Sequence, residues 1–358
     1  MIGSKHQPNQ GEAVLDDLLA AKRPEDLFGD LPQNGAASAR LRTRYVELAA
    51  QVHPDRNTDP RATQAFQNLQ RLYEVAKKAL RNGHYGKGNA VVDEITITTK
   101  RRTYKVHELG WQGDIANVYR ATSDHKPVLV KIARSERDND LIANEAKMLK
   151  AILGDKDFFD NAQPYLPCFI ETFGYRPGKK GKGRQAITFF QPEYDLYSLS
   201  DVRRAYPDGV HPKDMAWMLR RLFMAMAFAH AKGIVHGAIT PDHVLIQPEL
   251  HGLVLIDWTA ATEKEPIKIV SPKWKSIYPD WVFAKESATP STDIFMAIEC
   301  MKYVIGDQYV PDQMSAFFTG CQIKNLPPSW DLKDEFDQLL EQLWGRRRFR
   351  PFHMGSRI

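Results

Sequence analysis

At 358 residues the chain has length for two domains, each able to bury a core, and its aromatic (10%) and charged (26%) fractions are those of an ordinary globular protein. The formal charge of +5 is small for this length and does not call for a nucleic-acid partner. Cys168, Cys300 and Cys321 are too few and scattered for a disulfide framework or a Cys-based metal site, no apolar run nears the roughly 18 residues of a bilayer span, and the polar start holds no signal-peptide core, so a cytoplasmic protein with no membrane partner is expected.

Residues 1–23 are polar and are expected to form a disordered N-terminal segment. Helical period begins after residue 36. Leu41, Tyr45, Leu48, Ala49 and Val52 make one apolar stripe, with Arg40, Arg42 and Arg44 mostly off it and facing water. A polar break, His53-Pro54-Asp55-Arg56-Asn57-Thr58, follows. Asp59 then caps a second helix that opens with Pro60 and carries the stripe Ala62, Phe66, Leu69, Tyr73, Ala76 and Leu80. Two such helices joined by a short loop predict an antiparallel hairpin with its apolar faces inward. The glycine-rich stretch after Arg81 reads as a linker over residues 83–94.

Beyond it the period changes to two. Ile95, Ile97 and Thr99 alternate with polar residues, Tyr104, Val106, Val118 and Tyr119 continue the strand character, and Val128-Leu129-Val130-Lys131-Ile132 is another strand. A helix runs through Leu141, Ile142, Glu145, Met148, Leu149 and Ile152. The basic run Lys179–Arg184 reads as a hairpin tip, and Phe189–Tyr194 as a strand leading into a hinge. From about residue 212 helix dominates, the first helix ending at a Gly233 cap. The predicted class is α+β: an N-terminal all-α hairpin unit, then a strand-rich lobe and a helix-rich lobe.

Tyr45-x-x-Leu48-Ala49-x-x-x-His53-Pro54-Asp55, followed by the Ala65–Val75 helix, resembles a J-domain, the module that stimulates ATP hydrolysis by seventy-kilodalton heat-shock chaperones. The resemblance covers residues 24–82, with Glu25–Gly29 as the short first helix. It implies that His53, Pro54 and Asp55 trigger the chaperone's ATPase. Pro54 stiffens the turn so that its neighbours are presented together, and Arg40 and Arg44 offer a positive face to an acidic partner surface. This chain departs from the pattern in having few lysines before the tripeptide.

The second resemblance, over residues 95–352, is to the protein kinase superfamily, and implies a domain over 95–358 with an N-lobe to about residue 193 and a C-lobe after it. Val235-His236-Gly237-Ala238-Ile239-Thr240-Pro241-Asp242-His243-Val244 matches the catalytic loop His-Arg-Asp-x-x-Pro-x-Asn, with Ala238 in place of the aspartate that takes the substrate proton and His243 in place of the metal-holding asparagine. Gly110 and Gly113 stand in the glycine-rich loop, with Ala116 where its last glycine belongs. Lys131 and Glu145 match the phosphate lysine and its helix partner, and Asp257 matches the metal aspartate. Taken singly, Lys131 could be an edge-strand lysine, Glu145 a solvated helix residue and Asp257 a strand-end cap. Tyr278-Pro279-Asp280, Asp293 and Arg350 resemble structural marks of the same fold, Arg350 being the expected partner of the anchor acid Asp280.

A methyl group accepts no proton, so no catalytic residue is assigned. Asp242 could stand in as a base but should point away, and His243 could ligate a metal or hydrogen-bond the loop. The resemblance implies ATP at Gly110, Gly113, Lys131, Glu145 and Asp257, with or without one magnesium ion at Asp257. Three readings stay open. One is an adaptor whose J-domain-like unit stimulates a chaperone while its pseudokinase unit binds nucleotide or a client protein. The others are an atypical ATP-dependent transferase and a scaffold in a larger assembly.

Overall fold

In the computed structural model the described residues are 10–21, 23–31, 37–53, 57, 59–81, 85, 95–154, 160–176, 182–269 and 271–354. They form two compact units that divide between Asp93 and Glu94.

The first unit is helical: α1 (Gln10–Ala20), α2 (Pro24–Phe28), α3 (Ala37–Val52) and α4 (Ala62–Arg81). Leu41, Leu48 and Val52 of α3 meet Ala62, Ala65, Leu69, Leu72 and Ala76 of α4, so the spacing expected of a hairpin is the spacing that is buried. Two expectations are corrected here. The segment assigned to disorder contains α1, because Leu15 and Leu18 recur on one face and are 2% and 0% exposed in this core. Asn68 of α4 pins that helix by donating through Nδ2 to the Leu18 and Ala21 carbonyls at 2.6 and 3.0 Å. Tyr85, placed in the linker, is a core residue whose Oη donates to the Gly29 carbonyl at 2.8 Å. The rest of the linker lies outside the described residues.

The second unit opens with a six-stranded antiparallel sheet in the order β1-β2-β3-β4-β6-β5: β1 (Ile95–Thr98), β2 (Thr103–Gln112), β3 (Ala116–Ser123), β4 (Lys126–Ala133), β5 (Phe169–Tyr175) and β6 (Arg184–Phe190). The basic run read as a hairpin tip joins β5 to β6, and residues 177–181 of that connection lie outside the described residues. Side chains alternate along β4. Val128 and Val130 pack with Ile97, Tyr104, Val106 and Ala121 on one face. Ala133 joins the larger core on the other, which puts Lys131 on the face covered by α5 (Asn139–Leu153). Ile142, Ala146, Leu149 and Ile152 form the buried stripe of α5, and Glu145 sits within it at 1% exposed.

After the expected hinge come the short strands β7 (Tyr197–Ser198), β8 (Val244–Gln247) and β9 (Gly252–Leu255). Around them pack α6 (Leu199–Ala205), α7 (Pro212–His230), α8 (Asp280–Phe283), α9 (Pro290–Ile305), α10 (Asp312–Gly320) and α11 (Ser329–Trp344). The helix α7 is apolar almost all round, as a helix in the middle of a lobe must be. Arg350 does not pair with the anchor acid: its Nε lies 3.1 Å from Asp214 in the first turn of α7. Asp214 is 6% exposed, so its burial makes it the stronger competitor for that guanidinium. No helix among the described residues is long and apolar enough to cross a membrane.

Candidate functional site

Strand, helix and turn bring three charges together. Lys131 Nζ lies 2.7 Å from Glu145 Oε2 and 3.2 Å from Asp257 Oδ2. The other oxygen of Glu145 accepts the Trp258 backbone N–H at 3.2 Å, and Asp257 Oδ1 accepts the Thr259 hydroxyl at 2.5 Å. Lys131 is therefore neither a surface lysine nor Glu145 a solvated one. Asp257 closes the strand-to-turn junction with left-handed backbone (φ 64°, ψ 68°), a conformation that aspartate tolerates better than most residues.

The cluster carries one positive charge against two negative ones. Burial raises the Glu145 carboxyl, and Lys131 only partly counters it. Burial would also raise Asp257, but Lys131 and then His243 outweigh it and hold this carboxyl well below the usual carboxylate range. Burial works against the Lys131 ammonium, yet Asp257 and Glu145 together keep it above its ordinary value. Asp257 keeps 21% of its side chain exposed against 8% and 1% for its partners, so it is the member that can meet a ligand.

The loop between Val235 and Val244 runs beside this cluster. Ala238 is 1% exposed, and its carbonyl accepts a 2.8 Å hydrogen bond from His243 Nδ1. That bond turns Nε2 toward Asp257 Oδ2, 3.7 Å away. Asp242 is fully engaged elsewhere: Oδ1 accepts from the Ser200 hydroxyl at 2.5 Å, and Oδ2 from Lys273 Nζ at 2.9 Å and Trp274 Nε1 at 2.6 Å. Gly110 lies within β2, and the β2–β3 hairpin turns at Gly113, whose N–H donates to the Ala116 carbonyl at 2.9 Å. A Cβ at Gly113 would stand 2.9 Å from that oxygen, so the close approach requires glycine.

Asp293 of α9 holds the loop from below. It is fully buried and accepts from the His236 N–H at 2.7 Å, the Gly237 N–H at 2.8 Å and His230 Nε2 at 2.9 Å. Asp293→Ala should cost about 3 kcal/mol of stability, since it leaves buried donors unpaired. All seven tryptophans lie beyond residue 94, so denaturant titration followed by tryptophan fluorescence reads this unit alone.

His236 is buried at 1% exposed. It donates through Nε2 to the Ile256 carbonyl at 3.0 Å, and its Nδ1 accepts from Ala238 N at 3.2 Å, so it is held neutral. Burial, opposed in part by Asp293, lowers its pKa from 6.5 to about 4. Between those values the unfolded chain binds a proton that the folded chain refuses. The stability is thus fully present above pH 6.5 and falls as pH drops toward 4, by an amount on the order of 3 kcal/mol. The same fluorescence titration on wild type and His236→Asn should show that part of the slope missing in the variant.

Two residues of the site were not singled out from sequence. Asn144 donates through Nδ2 to the carbonyls of Thr259 and Ala261 at 3.1 and 2.7 Å, tying the turn after Asp257 to α5. Its signal was an asparagine inside an otherwise good helix, where that residue is a poor helix former. Gly237 (φ 70°), where the pattern has arginine, is closely covered: a Cβ there would stand 3.1 Å from both the Ala260 carbonyl oxygen and Ile267 Cγ1. No arginine fits in this loop as it stands.

In the first unit His53 directly follows α3, its ring edge-on to Phe66 of α4 at 5.1 Å. Asn57 shapes the break by donating through its N–H to the His53 carbonyl and through Nδ2 to the Gln51 carbonyl, both at 2.9 Å. Pro54 and Asp55 lie outside the described residues. Arg40 and Arg44 are exposed on α3, and Arg44 lies 3.3 Å from Glu47 in a surface pair of small energetic weight.

Comparison with known proteins agrees with this division. Residues 31–85 match the DnaJ domain family. A 96-residue stretch is 32% identical to the eIF-2-alpha kinase GCN2 of Schizosaccharomyces pombe, covering 26% of this chain and 6% of that protein. A 106-residue stretch is 29% identical to DnaJ homolog subfamily C member 14 of Bos taurus, covering 28% of this chain and 15% of that one. The matches thus span a small part of either relative. Among solved structures, the kinase domain of BubR1 is similar with a TM-score of 0.53 and 12% identity, over 75% of this chain and 93% of that domain. Vaccinia related kinase 3 is similar with a TM-score of 0.54 and 12% identity, over 70% and 91%. At such identities the likeness is one of fold. Residues 31–85 are a DnaJ domain, and the unit that follows it has the protein-kinase fold.

Proposed function

We propose that the chain is a co-chaperone-type adaptor. Its DnaJ domain engages a seventy-kilodalton heat-shock chaperone and stimulates ATP hydrolysis there, with His53, Pro54 and Asp55 as the trigger and Arg40 and Arg44 as the positive approach face. The kinase-fold unit, impaired as a phosphotransferase, binds nucleotide or a client protein. What supports this reading is a DnaJ domain in one chain with a kinase fold, and Ala238, buried at 1% exposed, where the matching kinase pattern has its proton-accepting aspartate. The few, free cysteines, with Cys300 and Cys321 buried, support a cytoplasmic setting. The test is chaperone ATP hydrolysis in single turnover, with and without this chain.

The residues present fit a nucleotide better than its usual metal pair. Lys131 would meet phosphate oxygens, and Gly110 and Gly113 lie in the hairpin where a phosphate-binding loop belongs. Asp257 alone would offer a carboxylate to magnesium, a hard cation that prefers oxygen, while the neighbouring His243 offers an imidazole. A bound nucleotide would supply the charged phosphates that answer Lys131, and its binding could switch the unit between states.

A second reading is favoured by the 2.7 and 3.2 Å contacts of Lys131, which hold together three residues that match the phosphate-facing half of a kinase site, as an atypical transferase would need. ATP labelled separately on its α- and γ-phosphates separates the two. Label that reaches protein and is lost in Lys131→Ala supports transfer, and no label from either position leaves the adaptor.

A further inference from the structure

A groove of about 590 Å³ opens on the six-stranded sheet and shares no residue with the Lys131 cluster. One wall is β5, whose residues Phe169–Gly174 line it without a break, and the other is the β1–β2 turn, Thr98–Arg101. Successive side chains of a strand point to opposite faces, so six consecutive residues can border one groove only along the strand's edge. The sheet order ends at β5, which pairs with β6 on its other side. Among the described residues no strand pairs with the outer edge of β5, so the groove runs along the part of a sheet that is ready to pair with another chain.

Its rim is firmly built. Thr99 Oγ1 accepts the N–H groups of Arg101 and Arg102 at 3.1 and 3.0 Å and donates to Glu171 Oε1 of β5 at 2.9 Å. Tyr104 Oη donates to the same oxygen at 2.7 Å, so Glu171, 8% exposed, ties turn to strand. The remaining charges in the groove are cationic. Lys100 and Arg101 are exposed and form no ion pair among the described residues, and Lys150 from α5 stands with Nζ 5.6 Å above the Phe169 ring.

We propose that this groove binds an extended, acidic peptide segment of a partner protein, which adds as a strand to the open edge of β5 with its carboxylates against Lys100, Arg101 and Lys150. Main-chain pairing supplies the affinity of such a contact, and the three cations select the sequence. A seven-residue strand is about 20 Å long, enough for five or six peptide residues. This inference rests on neither the chaperone nor the nucleotide reading.

Fluorescence anisotropy of a labelled, alternating Glu-Val octapeptide against the intact chain tests it. Lys100→Glu with Arg101→Glu should weaken binding about tenfold, as expected for reversing two exposed charges. Both residues are exposed on a turn, so the tryptophan-monitored unfolding midpoint should stay unchanged. Amide exchange over Ile170–Gly174 should slow on binding, and a peptide N-methylated at alternate residues should lose its affinity. No binding to wild type, equal binding to the double variant, unchanged exchange in β5 or equal affinity for a short single-stranded DNA would each overturn the proposal.

Discussion

His53→Gln should reduce stimulation of a seventy-kilodalton chaperone's ATPase by at least about 30-fold, the size of effect seen when a central residue of a small recognition patch is lost. The ring of His53 packs edge-on against Phe66, 5.1 Å away, at the junction of α3 and α4. Asn57 closes the break behind it, so the residue is presented by two packed helices and loses little entropy on docking. Glutamine keeps a hydrogen-bonding end but not the ring, while the hairpin core around Leu48, Leu69 and Leu72 is untouched. Helicity by circular dichroism should therefore be preserved. Reversing Arg40 and Arg44 to glutamate should act differently, slowing association and doing so less as salt is raised. Full stimulation by His53→Gln would remove the co-chaperone reading at its core.

Lys131→Ala should abolish ATP binding measured by calorimetry, with or without magnesium, and should also destabilise its unit by about 3–5 kcal/mol. The second effect follows from the charges. Without the ammonium, two carboxylates share a site in which Glu145 is 1% exposed. Two measurements keep the effects apart. Lys131→Met combined with Glu145→Gln removes one charge of each sign from the buried pair, so stability should largely return while ATP binding does not. Acid should also narrow the stability gap between the single variant and wild type, since the loss through His236 is common to both. Burial and Asp257 already raise the Glu145 carboxyl, and loss of Lys131 raises it further. A carboxyl whose folded pKa is raised adds stability as pH falls through that value, and the gain is complete below its unfolded pKa of about 4.3. No ATP binding to the wild-type chain would end both the nucleotide switch and the transferase reading, and binding that survives Lys131→Ala would remove Lys131 from the site.

Much of this molecule was legible residue by residue. The α3–α4 hairpin could be read because its stripe is a single helical face, and the tertiary structure buries Leu41, Leu48, Val52, Leu69 and Ala76 as the spacing requires. The change to period two marked the sheet, and Lys131 and Glu145 could be paired because both match the kinase pattern. Other features were hidden. The helix α1 was passed over since its few apolar residues, Leu15 and Leu18 among them, are diluted by polar ones, and only α4 gives them something to cover. Tyr85 sits in a glycine-rich stretch that reads as a linker, yet one hydrogen bond to Gly29 draws it into the core. The pattern points Arg350 at Asp280, whereas the fold sets it beside Asp214, because sequence order says nothing about which carboxylate lies nearest in space.

By itself, then, the amino-acid order determined the two-unit plan, the hairpin around His53-Pro54-Asp55, and the absence of a carboxylate at Ala238. These depend on periodicity and residue identity, which are local properties. Only the tertiary structure decided the rest. It turned His243 onto the Ala238 carbonyl, occupied Asp242 with Ser200, Lys273 and Trp274, and hung the loop on Asp293. It also left β5 at the end of the sheet, beside three cations, among the described residues. The hydrogen bonds share one physical reason. A polar side chain taken out of water must find its partner among whatever groups the fold brings within hydrogen-bond reach, and apart from Ala238, five residues from His243, those groups lie tens of residues away along the chain.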